Sequence, residues 1–336
     1  MRNTYSWTIG VAAAILSLAF AAEYEGTATA ATAAPAPAAV APTDTAAAVV
    51  KSVGGGQRES ADGKPPFTFV VVGGTTQETP EPSAPFAEAV KWINKINPDF
   101  SVSAGDNVKG TGGVAQQWDA FEKVAAGLTK PMYLIAGNHD TQKAGPEWTK
   151  RFGPFYHAFM HKGCQFIFLS SDTPGAMGNL DDAQVKWLEE TLASTSAVSR
   201  FVFCHEGFWR EGSKEMRELW NTKIVPLFKK YNVVAAFAGH HAIYELKVVD
   251  GIRYYVTQGG AMHGQSGGGA RTPPERGGFQ HVLKVVVAAD GSATVTLVGA
   301  DREEPDTIGQ TAAGKASPKA SQKITAPPNP TAPAAS

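Results

Sequence analysis

Residues 132–140 read MYLIAGNHD, a short apolar run that ends abruptly in Gly-Asn-His-Asp. The run has the length of a buried strand, and its polar ending falls where a strand gives way to a loop. Residues 100–107, FSVSAGDN, repeat the arrangement about thirty positions earlier. Ligands of open α/β sheets bind outside the carboxyl ends of the strands, so these two loops predict a site.

Three further apolar runs end in polar loops of the same kind. The run at residues 67–72 is followed by GGTT, the run at 201–204 by His205, and the run at 233–238 by GHH at 239–241. Glycine lets a backbone turn sharply and approach a ligand closely. Five loops are therefore expected to converge on one place.

Strand and helix signals alternate through the middle of the chain and become strand-rich after residue 244. Helical spacing of apolar residues appears between strands, for example at Phe86, Val90 and Ile93, and the segment Asp181–Leu192 is also predicted to be helical. Such an order is typical of an α/β fold with a mixed sheet system covered by helices. The predicted strands are Phe67–Val72, Phe100–Ala104, Met132–Ala136, Phe166–Ser170, Phe201–Cys204, Val233–Ala238, Glu245–Val249, Arg253–Thr257, His281–Ala288 and Ala293–Val298.

The N-terminal 22 residues are predicted to be a signal peptide. Arg2 is basic, the stretch Trp7–Ala22 is apolar, and Ala-Phe-Ala at 19–21 is a small-x-small cleavage site. The apolar run is short for a bilayer span, which needs about 20 residues, although an uncleaved N-terminal anchor is the alternative. We therefore expect an exported protein, periplasmic or extracellular, with no membrane span beyond this segment.

One folded domain is expected between two tethers. Residues 23–64 and 301–336 are rich in Ala, Pro and Thr or Ser, and have little apolar surface to offset the entropy of ordering. The domain is assigned to residues 65–300, and a monomer is expected. The chain of 336 residues has a formal net charge of −1, so its charge gives no reason to expect nucleic acid as a partner.

The two cysteines leave their pairing open. Cys164 and Cys204 each lie in an apolar, strand-like run. An even cysteine count in an exported protein permits a disulfide, and buried thiols in neighbouring core strands fit equally well.

Taken together, the ordered motifs resemble those of the calcineurin-like metallophosphoesterases. Gly105-Asp106, Gly-Asn-His-Asp at 137–140, a histidine after a strand and Gly-His-x-x-x-Tyr-Glu at 239–245 carry the resemblance, and the loop at 105–114 most resembles the purple-acid-phosphatase-like branch. The resemblance covers about residues 65–300. It implies a four-layer α/β/β/α sandwich and hydrolysis of phosphoesters, such as phosphorylated small molecules, at two metal ions bridged by an aspartate.

One of the two implied metal sites is complete in this sequence. Carried over position by position, its ligands are Asp106, Asn138, His205 and His240. Two imidazoles, a carboxylate and an amide oxygen suit a borderline divalent ion such as Zn, Mn or Fe.

Every ligand private to the other metal is missing. The resemblance aligns these ligands with Gly74, Thr76, Lys109 and Ala242, none of which can replace them in kind. Only Asp106, which both metals would share, remains. We therefore expect one divalent metal ion per domain.

Four more residues are candidates for contacts with a phosphoester. The resemblance gives His139 the role of stabilising or protonating the leaving oxygen. Lys109, His241 and His263 are candidates for phosphate binding, against the simpler alternatives of a solvated lysine, a structural histidine and a mobile glycine-rich loop.

Three functions fit these features. A mononuclear phosphoester hydrolase, either a phosphatase or a phosphodiesterase, is favoured because a complete ligand set and His139 are retained. A catalytically impaired pseudophosphatase, binding a phosphate-containing ligand or a protein partner in the cell envelope, is the alternative. A structural module whose metal only braces the loops would not need His139.

Overall fold

The computed structural model describes residues 52–53, 62–142, 145–210, 212–259 and 273–310. All of them belong to one compact unit. The predicted signal peptide, most of the predicted tethers and His263 lie outside the described residues. Within the described part of the chain, no helix is both long and apolar enough to cross a bilayer.

Two six-stranded mixed sheets form the centre of the molecule. The first has the order β14-β13-β12-β1-β2-β3, in which β1, β2 and β3 run parallel. The second has the order β10-β11-β9-β8-β5-β4, in which β11, β9, β8 and β5 run parallel. A two-stranded ribbon joins β6 and β7. The strands are β1 Phe67–Val72, β2 Phe100–Ser103, β3 Met132–Leu134, β4 His157–His161, β5 Cys164–Phe168, β6 Asp172–Thr173, β7 Ala176–Met177, β8 Arg200–Phe203, β9 Val233–Ala238, β10 Tyr244–Val249, β11 Ile252–Thr257, β12 Val282–Val287, β13 Ala293–Val298 and β14 Glu303–Pro305.

Helices occupy the connections between the parallel strands. Helix α1 begins after Ser83, whose hydroxyl accepts the amide N–H of Phe86, and it ends at Asn97 in the left-handed conformation. The helices are α1 Ala84–Ile96, α2 Val114–Ala125, α3 Asn138–Thr141, α4 Gly145–Phe152, α5 Asp182–Ala193, α6 Lys214–Leu219 and α7 Val225–Lys230, with a π-helical segment Trp220–Ile224 between the last two.

Three apolar clusters separate four layers. Inner faces of both sheets pack together through aromatic side chains such as Phe69, Phe166 and Phe237. The outer face of the first sheet packs on α1, α2 and α4, and that of the second on α5 to α7. This arrangement confirms the predicted α/β class and the four-layer α/β/β/α architecture.

The predicted domain boundaries need correction at both ends. Strand β14 pairs with β13, and Asp306 is 1% exposed because its carboxylate is bound by Arg253 and Tyr255. The assignment of 301–336 to a disordered tail is therefore wrong for residues 301–310. At the other end Val53, placed in the predicted tether 23–64, is buried and exchanges two backbone hydrogen bonds with Met132.

Both cysteines are buried free thiols. Burial raises the pKa of Cys164 to about 12, so it stays protonated and unreactive at neutral pH. Of the two alternatives left open by the sequence, the structure has the unpaired one.

Candidate metal centre

The carboxyl ends of the parallel strands of both sheets open onto one site. Loops after β2 and β3 carry Asp106 and Asn138, and loops after β8 and β9 carry His205 and His240. In each sheet the strands involved are neighbours, so that their loops are adjacent. Because the two sheets face each other, the two pairs of loops meet across the sandwich.

The four predicted ligand atoms converge on one point. Nε2 of His205 lies 3.2 Å from Oδ1 of Asp106 and 3.3 Å from Oδ1 of Asn138. Nδ1 of His240 lies 3.2 Å from the same Asn138 oxygen and 3.3 Å from His205 Nε2. Ligands of a tetrahedral zinc ion with bonds of ~2.1 Å lie about 3.4 Å apart, so a divalent ion fits between these atoms.

Unusual backbone conformations bring the ligands together. Asp106 has φ 53° and His240 has φ 64°, in the left-handed region that non-glycine residues seldom adopt. A Cβ on Gly105 would lie 2.3 Å from His205 Nδ1, and one on Gly137 would lie 2.4 Å from Asp106 Oδ1. Glycine at these two positions is what allows the loops to approach.

The tautomer of His205 is fixed for metal binding. Its Nδ1 lies 2.8 Å from the carbonyl oxygen of Ala104, which can only accept, so Nδ1 carries a proton and donates it. Nε2 is then the nitrogen that faces the other ligands. Hydrogen bonding of the second ring nitrogen to a carbonyl is the usual way in which a protein orients a histidine ligand.

Asp140 ties two of the ligand loops to each other. Its fully buried carboxylate accepts N–H bonds from the backbone of Asn107, Val108 and Gly137, and from the Asn107 side chain, at 2.9–3.1 Å. Burial, together with the negative charge of Asp106, raises the pKa of Asp140 to about 7. These bonds fix Asp106 and Asn138 relative to each other.

Asp106 and His205 form a buried pair of opposite charges. Burial opposes ionisation of both, but each stabilises the charge of the other, which lowers the pKa of Asp106 and raises that of His205 to about 9. A cation between them would take the place of the His205 proton. Among the described residues, Asp106, His205 and His240 are the one group of acidic, histidine or cysteine side chains with the geometry to hold a metal.

The calcineurin-like phosphoesterase family matches residues 79–244, which contain all four of these ligands. The chain therefore contains a domain of this family. The predicted family is thereby confirmed, together with a metal-dependent kind of site.

Two curated proteins of the family are similar to this chain in sequence. A glycerophosphodiester phosphodiesterase, GpdQ, of Enterobacter lignolyticus is 26% identical over 170 residues, which cover 46% of this chain and 60% of that protein. Tartrate-resistant acid phosphatase type 5 of Oryctolagus cuniculus is 26% identical over 224 residues, which cover 53% of this chain and 69% of that protein. The chain thus spans well under the full length of both relatives.

A solved structure supports the fold. Purple acid phosphatase PPD1 from yellow lupin (Lupinus luteus) superposes with a TM-score of 0.56 at 15% identity, over 75% of this chain and 53% of that one. At this identity the likeness concerns the fold alone.

The residues that the resemblance aligns with ligands of a second metal have other surroundings here. The hydroxyl of Thr76 donates to the backbone carbonyl of Asp106 at 2.8 Å, and Ala242 is exposed. A Cβ on Gly74, which has φ 69°, would lie 2.7 Å from the backbone oxygen of Gln258. An aspartate at residue 74 would therefore clash with the backbone of Gln258.

The candidates for phosphate contacts have different surroundings. His139 is exposed; its Nδ1 lies 2.9 Å from the Lys109 carbonyl, and its backbone N–H donates to Asp106 Oδ1. Lys109 is half exposed, with its ammonium 3.4 Å from Glu78. His241 is partly exposed beside His240, with ring centroids 4.8 Å apart. The roles of these residues remain predictions, as does that of His263.

Sequence reasoning missed two residues of this site. Asp140 is the last residue of the Gly-Asn-His-Asp motif, so the sequence points to it. Only the structure shows that its carboxylate accepts hydrogen bonds from four N–H groups. Gln258 follows β11 and carries no motif; its contact with Gly74 joins positions 184 residues apart.

Proposed function

We propose that this chain is a metal-dependent phosphoester hydrolase that works with one divalent ion, Zn, Mn or Fe. The observation that carries the proposal is the convergence of Asp106, Asn138, His205 and His240 at 3.2–3.3 Å, on loops braced by glycines and Asp140. Both curated relatives are named for hydrolysis of phosphoesters, which supports the reaction class.

A bound divalent ion supplies charge for the phosphate oxygens and lowers the pKa of a water. The protein contributes the geometry. Asp140 and the Ala104 carbonyl hold Asp106 and His205 in place without relying on the ion.

His139 is proposed to hold a proton for the leaving oxygen. Its Nδ1 donates to the Lys109 carbonyl, which leaves Nε2 at the exposed end of the ring, and its backbone bond to Asp106 keeps the ring beside the centre. General acid catalysis of this kind contributes typically 10²–10⁴-fold to a rate.

A pseudophosphatase that only binds a phosphate-containing ligand or a protein partner is the second candidate. The observation that supports it is the lack of space for a side chain at Gly74, where a Cβ would lie 2.7 Å from the backbone oxygen of Gln258. Export to the periplasm or to the outside of the cell is also proposed, from the sequence of residues 1–22. A monomeric state is proposed from the size of the domain.

Metal content and hydrolysis measured on one preparation test the proposal. We expect about one divalent ion per chain by elemental analysis, and slow metal-dependent hydrolysis of bis-p-nitrophenyl phosphate or p-nitrophenyl phosphate. His240→Ala should lose the ion and the activity, whereas the neighbouring His241→Ala, as matched control, should keep the ion.

Two outcomes count against the proposal, the first against its single metal ion and the second against hydrolysis. Two ions per chain at full occupancy would contradict the mononuclear site. If folded, metal-loaded protein holds one ion per chain but hydrolyses neither ester, the result would favour the pseudophosphatase.

A further inference from the structure

The two-stranded ribbon of β6 and β7 lies across the loops that carry Asn138 and His205. Strand β6 packs against α3, the helical turn that begins with Asn138. On the other side, the hydroxyl of Ser171, the residue before β6, accepts the backbone N–H of Glu206 at 3.1 Å. Since Oδ1 of Asn138 and Nε2 of His205 are 3.3 Å apart, a ribbon held by both loops borders the candidate metal centre.

Met177, at the end of β7, places an exposed apolar side chain at this border. Its Sδ lies 3.6 Å from Oγ1 of Thr141, and that hydroxyl lies 3.4 Å from the backbone oxygen of Asn138. These two distances, with the length of an asparagine side chain, put Sδ within about 13 Å of Asn138 Oδ1. Met177 is 39% exposed. The side chain is therefore within reach of a group that projects from a phosphate bound at the centre.

Carboxylates, and no basic side chains, accompany Met177 on the ribbon. Residues 171–179 read SDTPGAMGN and contain no lysine or arginine. Asp172 is buried in this stretch, and a Cβ on Gly178 would lie 3.6 Å from Oε1 of Glu206. A leaving group that carried a second phosphate or a carboxylate would meet negative charge here, whereas an uncharged apolar group would meet Met177.

We propose that Met177 determines substrate specificity by packing against the leaving alcohol of a phosphoester, and that this alcohol is apolar and uncharged, as in an aryl or alkyl ester. The inference rests on the proposed function and names the substrate class of the same site. Methionine is unbranched and polarizable, so its side chain adapts to groups of different shape and makes favourable contacts with aromatic rings.

Binding of two phosphonates to the metal-loaded full chain tests the proposal by calorimetric titration. Phenylphosphonate carries an aromatic group on a phosphorus–carbon bond that the hydrolysis of an ester does not cleave. Methylphosphonate has the same charged end and almost no apolar group. Because only the phenyl group is large enough to contact Met177, we expect the parent to bind phenylphosphonate more tightly.

Substitution of Met177 should change the affinity for one probe only. Met177→Gln has a similar length but replaces the thioether by an amide. It should raise the Kd for phenylphosphonate about 3- to 10-fold, in the range of a lost methionine–aromatic contact, and leave the Kd for methylphosphonate unchanged. Met177→Leu keeps an apolar side chain and should retain most of the preference for phenylphosphonate.

Val198→Ala is the matched control. Val198 is 40% exposed, much like Met177, but it precedes β8 and so lies at the end of the sheet opposite the ligand loops. This variant should leave both Kd values unchanged. Because the substituted side chains are exposed, all three variants should keep the melting temperature and the metal content of the parent.

Equal affinity of the parent for the two phosphonates would contradict the proposal, as would the binding of neither. An unchanged preference in Met177→Gln would do so as well. Weaker binding of both probes, or a loss of metal, in Met177→Gln would mean that the side chain only holds the Asn138 turn in place. Failure of the hydrolase proposal looks different, because the protein would still prefer phenylphosphonate through Met177 while it hydrolyses no ester.

Discussion

Removing the Asp306 carboxylate should destabilise the whole domain, although the residue lies in a segment whose composition suggests a disordered tail. Its Oδ2 accepts from Nη2 of Arg253 and, at 2.6 Å, from the hydroxyl of Tyr255. Its backbone carbonyl accepts from the hydroxyl of Tyr244 at 2.7 Å. These partners lie on β10 and β11, so one short segment bonds to two neighbouring strands of the second sheet.

The magnitude follows from burial. Arg253 is 7% exposed and Asp306 is 1% exposed, so Asp306→Ala leaves a guanidinium away from water without its counter-ion. Breaking a buried pair in this way costs about 3–5 kcal/mol. For a domain of this size, each kcal/mol lowers the melting temperature by roughly 2–4 °C, which gives a fall of about 6–20 °C.

Chemical denaturation of Asp306→Ala and the parent, with the exposed Asp301→Ala as control, measures the effect. The control should stay within about 0.5 kcal/mol of the parent. A chain that ends at residue 310 should match the parent, whereas one that ends at 302 should lose at least as much as Asp306→Ala. A loss below 1 kcal/mol for Asp306→Ala would refute the reasoning and restore the tail to residue 301.

Two more predictions concern Gly74 and His281. Gly74→Asp should destabilise the fold and should not add a second metal ion, because its Cβ would clash with the backbone oxygen of Gln258. Gly112→Asp is the control: residue 112 has a similar φ of 66° but open space around it, so the substitution should cost only the backbone strain of about 1–2 kcal/mol. A second ion in Gly74→Asp, counted by elemental analysis, would contradict this. Burial lowers the pKa of His281 to about 4, against 6.5 in the unfolded chain, so the unfolded state takes up a proton first as the pH falls. The stability that depends on neutral His281 is therefore complete above pH 6.5 and is lost as the pH falls towards 4. Between pH 7 and pH 4 the unfolding free energy of His281→Gln should therefore fall less than that of the parent, by on the order of 2–3 kcal/mol. Urea titrations of both proteins at the two pH values measure this, and an equal fall in parent and variant would exclude the role.

Most of the fold follows from local patterns. Strands such as Val233–Ala238 and Ala293–Val298 agree with the structure to the residue, because apolar runs bounded by polar loops depend little on their surroundings. Strand β4, His157–His161, was not predicted, since its histidines mask the alternation. His161 is fully buried, and Asp99 lies 3.0 Å from its Nε2. Such a partner is distant in the chain and leaves no local signal.

The four residues predicted as metal ligands lie together in the structure, and their role as ligands stays a prediction. Asp106, Asn138, His205 and His240 could be named because each follows a strand within a recognisable motif. Lys109 was predicted near the second metal position, but its ammonium faces Glu78, a choice made by loop packing. The direction of a surface side chain such as Lys109 depends on how the loops pack, and only the structure shows it.

The sequence by itself predicted the layered α/β class through periodicity, and the family and four candidate ligands through the resemblance of its motifs, since both signals are properties of short segments. The tertiary structure decided how far the domain extends and whether a side chain fits at residue 74. Both depend on contacts between remote residues: Asp306 with Arg253 at one place, and Gly74 with Gln258 at the other. Composition placed Asp306 in a polar tail, and the resemblance made Gly74 a lost ligand. Neither could show the buried contacts, because the free energy of a contact belongs to both partners and cannot be assigned from either segment alone.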